Sequence, residues 1–139
     1  MRFVLLDSSV VVKWFRNESD SDRAVAIQRE FLEGRVDASV SELTFYETAN
    51  ALRYSGDFSS DEVRECLDSI VALEIGVYPF DLDALKSGVE SSFDQGISVY
   101  DAYLLCLAKK HSLTLVTADD RFCDRVGNDA SLCRLRDWT

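Results

Sequence analysis

The chain reads as an α/β protein of three layers, with helices on both faces of a mostly parallel sheet of about five strands. Three observations predict this. Phe3 to Leu6 is an unbroken apolar run of strand length that stops at Asp7, and such strands suit a sheet covered on both faces. Leu113 to Thr117 is a second strand-like run, with Asp119 two residues past its end. Between them, short β-prone runs alternate with segments of helical period, the pattern of strands joined by helical crossovers.

In order, Val10 to Phe15 is expected as a short helix, followed by the polar turn Asn17–Asp22. Ala24, Ile27 and Phe31 recur at helical spacing, and Gly34 closes that helix. Val36 to Val40 is a short strand, and Ser41 can cap a helix running to about Tyr54. Ser59 and Glu62 have the spacing of a capping box ahead of Val63, Leu67 and Ile70. Ile75 to Phe80 reads as a strand with the only proline, Pro79, near its end, which places it near a sheet edge. Asp81 caps the next helix, Gly96 breaks it, and Ser98 opens another that runs to about His111. After the strand at Leu113–Thr117, Asp119 and Asp120 start a short helix, and a last strand lies near Ser131 to Arg134.

At 139 residues, 47% apolar and 11% aromatic, the chain is expected to fold as one globular domain over residues 1–139. It has no apolar run of membrane-spanning length and no signal-peptide pattern, so a cytoplasmic address is expected. Cys66, Cys106, Cys123 and Cys133 show no CxxC spacing and read as small core residues, and the single histidine, His111, leaves zinc chemistry and a Ser-His-Asp triad poorly supported. The net charge of −10 argues against a protein that simply coats nucleic acid, which would need to neutralise phosphates. It suits a basic partner or solubility, and bound cations can invert the local sign of a carboxylate site.

The informative residues are carboxylates. Asp7 and Asp119 each follow a strand, and in an open parallel sheet the carboxyl ends of the strands form the binding crevice. Asp7 also has a simpler reading, as the cap of the following helix. Asp101 heads a stripe formed by Leu104, Leu105 and Ala108 on a helix that is apolar nearly all round, so it must face the core or a cation, with a capping box to Ser98 as the local alternative. Glu47 lies in line with Leu43 and Ala51, with Asn50 three residues on. Taken alone it reads as a solvated glutamate bordering a core face of Phe45, Ala49 and Leu52. Four carboxylates in one place stay ionised only with cations present, and an all-oxygen donor set selects Mg²⁺ or Mn²⁺. Such sites suit phosphodiester cleavage by activated water. Lys13, Arg16, Arg53 and Arg121 lie near these motifs, and of these Lys13 or Arg16 is the better candidate for holding a phosphate.

Asp7-Ser8-Ser9-Val10, Tyr46-Glu47-Thr48-Ala49-Asn50-Ala51-Leu52, Tyr100-Asp101-Ala102-Tyr103-Leu104-Leu105 and Val116-Thr117-Ala118-Asp119 resemble, in order and over almost the whole chain, the motif series of PIN-domain nucleases. The length and the SSVVVKWF opening look most like the VapC-type toxins. The resemblance implies a PIN-like α/β/α fold, a homodimer, and a Mg²⁺- or Mn²⁺-dependent ribonuclease acting on RNA and restrained by a cognate antitoxin protein. It implies Asp7 and Asp101 as direct metal ligands, with Glu47 and Asp119 completing the site directly or through water. Ser9, Thr117 and Asn50 would be supporting hydrogen-bonders. Asp119 fits the motif better than its neighbour Asp120. Three other readings stay open: an RNA-processing PIN-like nuclease outside a toxin–antitoxin system, an aspartyl phosphotransferase, although position 9 is Ser where a second aspartate is usual, and a non-catalytic module that uses its acidic crevice for binding.

Overall fold

The computed structural model describes all 139 residues. Five strands form one parallel sheet in the order β3-β2-β1-β4-β5: β1 (Arg2–Leu6), β2 (Val36–Ser41), β3 (Gly76–Tyr78), β4 (Thr114–Thr117) and β5 (Leu132–Arg134). The chain lays β2 and β3 on one side of β1, then returns to place β4 and β5 on the other. The order therefore reverses between β1 and β4, where a crevice opens beyond the strand ends.

The alternation of side chains along the strands divides the core into two layers. Val4 and Leu6 of β1 join Val36, Ala38, Val40 and Val116 beneath α1 (Ser8–Val11) and α2 (Ser21–Leu32), with Ile70 from α4 (Ser60–Ala72). Leu5 and Leu115 face the opposite way, against α5 (Leu82–Gln95), α6 (Val99–Lys110) and Phe122 of α7 (Asp120–Val126). With α3 (Glu42–Tyr54) these give the expected three layers.

Local rules account for the boundaries. Ser59 and Glu62 form the full capping box at α4, and Ser41, Asp81 and Ser98 cap α3, α5 and α6 through their side chains. Gly96 ends α5 in the left-handed conformation that glycine adopts without penalty. The first helix starts at Ser8 rather than Val10, and its last turn tightens to a 3-10 turn over Val12–Trp14. Strand β3 is shorter than expected and forms the sheet edge, with Pro79 just past its end. Gly88 permits a close helix contact: a Cβ there would lie 2.9 Å from the Tyr103 backbone nitrogen, so α5 and α6 meet backbone to backbone. That contact fixes α6, and with it Asp101.

All four cysteines are free, and Cys66 and Cys123 are buried. Burial pushes the Cys123 thiol up to about 11, which leaves it protonated and unreactive near neutrality. Lys110 pairs with Asp81 at 2.6 Å and Lys109 with Asp129 at 2.7 Å, so each has a specific carboxylate partner at the end of α6. No helix is long and apolar enough to cross a membrane.

Candidate active site

The crevice at the reversal point is lined by Asp7, Ser8, Ser9, Lys13, Arg16, Glu18, Glu47, Asp101 and Asp119, together with Val12, Ala51 and Ala118. All four carboxylates singled out in the sequence thus reach one cleft, from the end of β1, the middle of α3, the first turn of α6 and the end of β4.

Asp7 is its fixed point. The backbone N–H of Asp7 donates to Val116 O at 3.0 Å, which extends the β1–β4 ladder past the last residue of β1. Its side chain makes no capping bond to α1, so the simple capping reading does not apply. Instead, Oδ2 accepts two hydroxyls, from Ser9 at 2.6 Å and from Thr117 at 3.0 Å. Each hydroxyl is oriented from behind by a backbone donor: Ala118 N–H to Ser9 Oγ at 2.9 Å, and Asp119 N–H to Thr117 Oγ1 at 3.1 Å. Asp7 is 7% exposed, and with both donors gathered on one oxygen the other is left for a ligand.

Glu47 is half-buried rather than solvated. The buried stripe of α3 runs through Thr44, Thr48 and Leu52, not Phe45, Ala49 and Leu52, and this turns Glu47 toward the cleft. Its Oε1 is sealed from solvent without a hydrogen-bond partner. Burial, then the charges of Asp7 and Asp101, push its carboxyl up to about 7, with the Ser8 hydroxyl partly offsetting them. Asp101 behaves alike: burial first, then Asp7, push it up to about 6, opposed by the Ser98 hydroxyl. Its backbone N–H donates to Ser98 Oγ at 3.0 Å, the Ser98 half of the expected box. Asp119 is exposed and accepts the Phe122 N–H through Oδ1 at 3.1 Å. Its neighbour Asp120 turns away to pair with Arg134 and Arg136, so Asp119 is the one of the two that lines the cleft.

Not every residue named from the sequence arrives. Asn50 is exposed on α3, does not line the cleft and makes no hydrogen bond to the acidic group, because its position on the helix points it to solvent. Arg53 lies over the Tyr54 ring, and Arg121 is exposed outside the cleft. Lys13 and Arg16 do line it, joined there by Glu18, which sequence spacing does not single out.

The donors fit a hard divalent cation: they are all oxygen, Asp7 has one uncommitted oxygen, and an oxygen of Glu47 lacks any partner. No three acidic, histidine or cysteine side chains stand close enough together to hold a metal ion as a group. Mg²⁺ needs only one or two direct carboxylates and keeps several waters for substrate to replace, so a smaller set would be enough to hold it.

A five-stranded parallel sheet with an acidic cleft at its switch point defines the chain as an open α/β protein with its candidate site at the strand ends. Residues 4–128 match the PIN domain family, and the chain belongs to it. Similar solved structures include FitAcB from Neisseria gonorrhoeae (23% identity, TM-score 0.70, covering 96% of this chain and 99% of that one). A toxin–antitoxin complex from Klebsiella pneumoniae aligns at 17% identity and TM-score 0.67, covering 95% and 97%. VapC20 of Mycobacterium tuberculosis, a sarcin–ricin loop cleaving toxin, aligns at 12% identity and TM-score 0.67, covering 87% and 93%. No curated protein matches the chain.

Proposed function

We propose that the protein is a Mg²⁺- or Mn²⁺-dependent endoribonuclease, the toxin of a type II toxin–antitoxin pair, acting in the cytoplasm as a homodimer of one-domain chains. The observation that carries this reading is the doubly anchored Asp7 beside two carboxylates, Glu47 and Asp101, whose charge is costly in the bare protein. A cleft that strains its own carboxylates is built to receive positive charge.

Asp7 and Asp101 would hold the cation directly, with Glu47 and Asp119 completing the site directly or through water. When bound, the cation supplies activation of the attacking water and stabilisation of the leaving oxygen. Ser9 and Thr117 hold Asp7 in one orientation, and both hydroxyls are already committed to it, so neither is free to serve as nucleophile. Lys13 and Arg16 are the only cations lining the cleft and would hold the RNA strand.

The toxin assignment is supported by the solved structures of similar fold, one a toxin–antitoxin complex and one a toxin that cleaves the sarcin–ricin loop. The acidic cleft and the net charge of −10 favour a basic antitoxin segment. Beside the cleft, Tyr46, Phe80, Val99 and Tyr100 are exposed around an apolar depression, a surface that favours association with a second copy.

The test is cleavage of a mixed structured RNA by the purified protein with Mg²⁺, Mn²⁺ or EDTA, beside Asp7→Asn. The expected result is cleavage by the wild type with metal only. Equal cleavage in EDTA, or undiminished cleavage by Asp7→Asn, would sink the mechanism. Absence of cleavage with either metal would favour the non-catalytic binding module.

A further inference from the structure

The two cations of the cleft are not free. Lys13 Nζ donates to Glu18 Oε1 at 3.2 Å, and Arg16 donates to the other oxygen of the same carboxylate, Oε2, at 3.3 Å. Two cations thus converge on the paired oxygens of one anion, in the wall of a cleft that otherwise presents carboxylates. A phosphodiester carries the same single charge on two non-bridging oxygens and takes the same charge-assisted bonds.

We propose that Lys13 and Arg16 form the seat of a backbone phosphate of the RNA strand, and that Glu18 holds this seat as a resident anion which the phosphate displaces. The proposal rests on the nuclease reading and adds the position of one substrate phosphate and its built-in competitor.

The surrounding bonds keep the seat in place when Glu18 leaves. Lys13 is 10% exposed along its side chain, and its ammonium is also held by Ser19 O at 2.6 Å. Arg16 is held by Asp57 at 3.0 Å through its second nitrogen. The backbone of Glu18 is pinned as well: its N–H donates to Ser21 Oγ at 2.9 Å, and the Ser21 hydroxyl donates to Arg16 O at 2.9 Å. Only the Glu18 side chain, 35% exposed, has to rotate into water, so the exchange needs no loop opening. In a chain this acidic, the resident carboxylate also raises the threshold for stray anions, since an incoming ligand must outcompete it.

The test is fluorescence anisotropy with a labelled single-stranded RNA in Mg²⁺, in an Asp101→Asn background to prevent cutting. Glu18→Gln in that background is expected to tighten binding about fivefold, as for loss of a partly exposed competing ion pair. Arg16→Ala should weaken binding by a similar factor and remove most of the gain from Glu18→Gln in the double variant. Asp68→Asn adds the same unit of charge at an exposed position of α4 outside the cleft and leaves Glu18 in place, so it is expected to change affinity less than about twofold. If Asp68→Asn tightens binding as much as Glu18→Gln, bulk charge is responsible and the proposal is wrong. Unchanged or weaker binding by a folded Glu18→Gln, with the parent still binding, also overturns it. If the parent itself binds no RNA, the nuclease reading fails, and this inference with it.

Discussion

Replacing Asp101 with asparagine should make the metal-free protein more stable while removing its activity. The side chain sits at the head of α6 facing Asp7, and burial plus that charge raise its carboxyl from the ordinary 3.8 to about 6. In a sealed site that change would represent roughly 3 kcal/mol of disfavoured charge at neutral pH. Water reaches the half-buried carboxylate, so the working figure is about 1 to 1.5 kcal/mol. Asparagine keeps the shape and an acceptor for the Ser98 hydroxyl, and it removes the charge. For a chain of this length the gain corresponds to a rise in Tm of about 4 °C. The assay is thermal unfolding in EDTA at pH 8, repeated in excess Mg²⁺. Without metal, Asp101→Asn should melt above the wild type; with Mg²⁺ the wild type should rise and the variant should gain less. An Asp101→Asn protein that melts lower in EDTA would mean that the carboxylate is stabilised by its surroundings, and the reading of a cleft strained to receive a cation would be refuted.

The pH dependence follows from the same pair. Glu47 and Asp101 titrate near 7 and 6 in the fold, above their unfolded values, so between about pH 4 and 7 the folded chain binds more protons than the unfolded one. Stability of the metal-free protein should therefore fall from pH 5 to pH 8 by about 2 kcal/mol after allowing for solvent screening. Denaturant melts in EDTA measure it, and Glu47→Gln should flatten the slope; a rise in stability across that range would contradict the assignment. Gly88→Ala should cost about 1–3 kcal/mol despite the better helix propensity of alanine, because the added Cβ meets the Tyr103 backbone and no side-chain rotation relieves it. It should also lower activity by shifting α6, and a variant as stable as the wild type would contradict that packing. Thr48→Val should be neutral or stabilising by up to about 1 kcal/mol, since the buried Thr48 hydroxyl has no partner to lose. A clear loss of stability in a denaturant melt would show that the hydroxyl has a partner after all.

The elements legible in the sequence were those governed by local rules. Asp7 and Asp119 could be located because each follows an apolar strand, and a parallel sheet with right-handed crossovers brings such ends to one side. Asp101 was legible because a carboxylate at the head of an apolar stripe is costly in any fold. Glu47 was harder. Its helix buries a face of Thr44, Thr48 and Leu52, and threonines do not register in an apolar pattern, so the periodicity favoured a face rotated toward Phe45 and Ala49. Asn50 shares a motif with Glu47 but points to solvent, which shows how little sequence proximity says about direction on a helix. The choice between Asp119 and Asp120 depends on Arg134 and Arg136, which β5 and the turn after it bring back beside α7. The placement of Glu18 in the cleft is not legible in the sequence for a similar reason. It depends on a turn pinned by Ser21, with Asp20 in a left-handed conformation, and no spacing rule encodes that geometry.

Asp7, Glu47, Asp101 and Asp119 line one cleft, and the proposed function requires that this cleft bind a divalent cation. Calorimetric titration of Mn²⁺ into the wild type, Glu47→Gln and Asp101→Asn at pH 7.5 tests it most directly. Saturable binding to the wild type is expected, at least about tenfold weaker in Asp101→Asn and weakened in Glu47→Gln. Equal affinity in all three chains, or no saturable binding to a folded wild type, would contradict it.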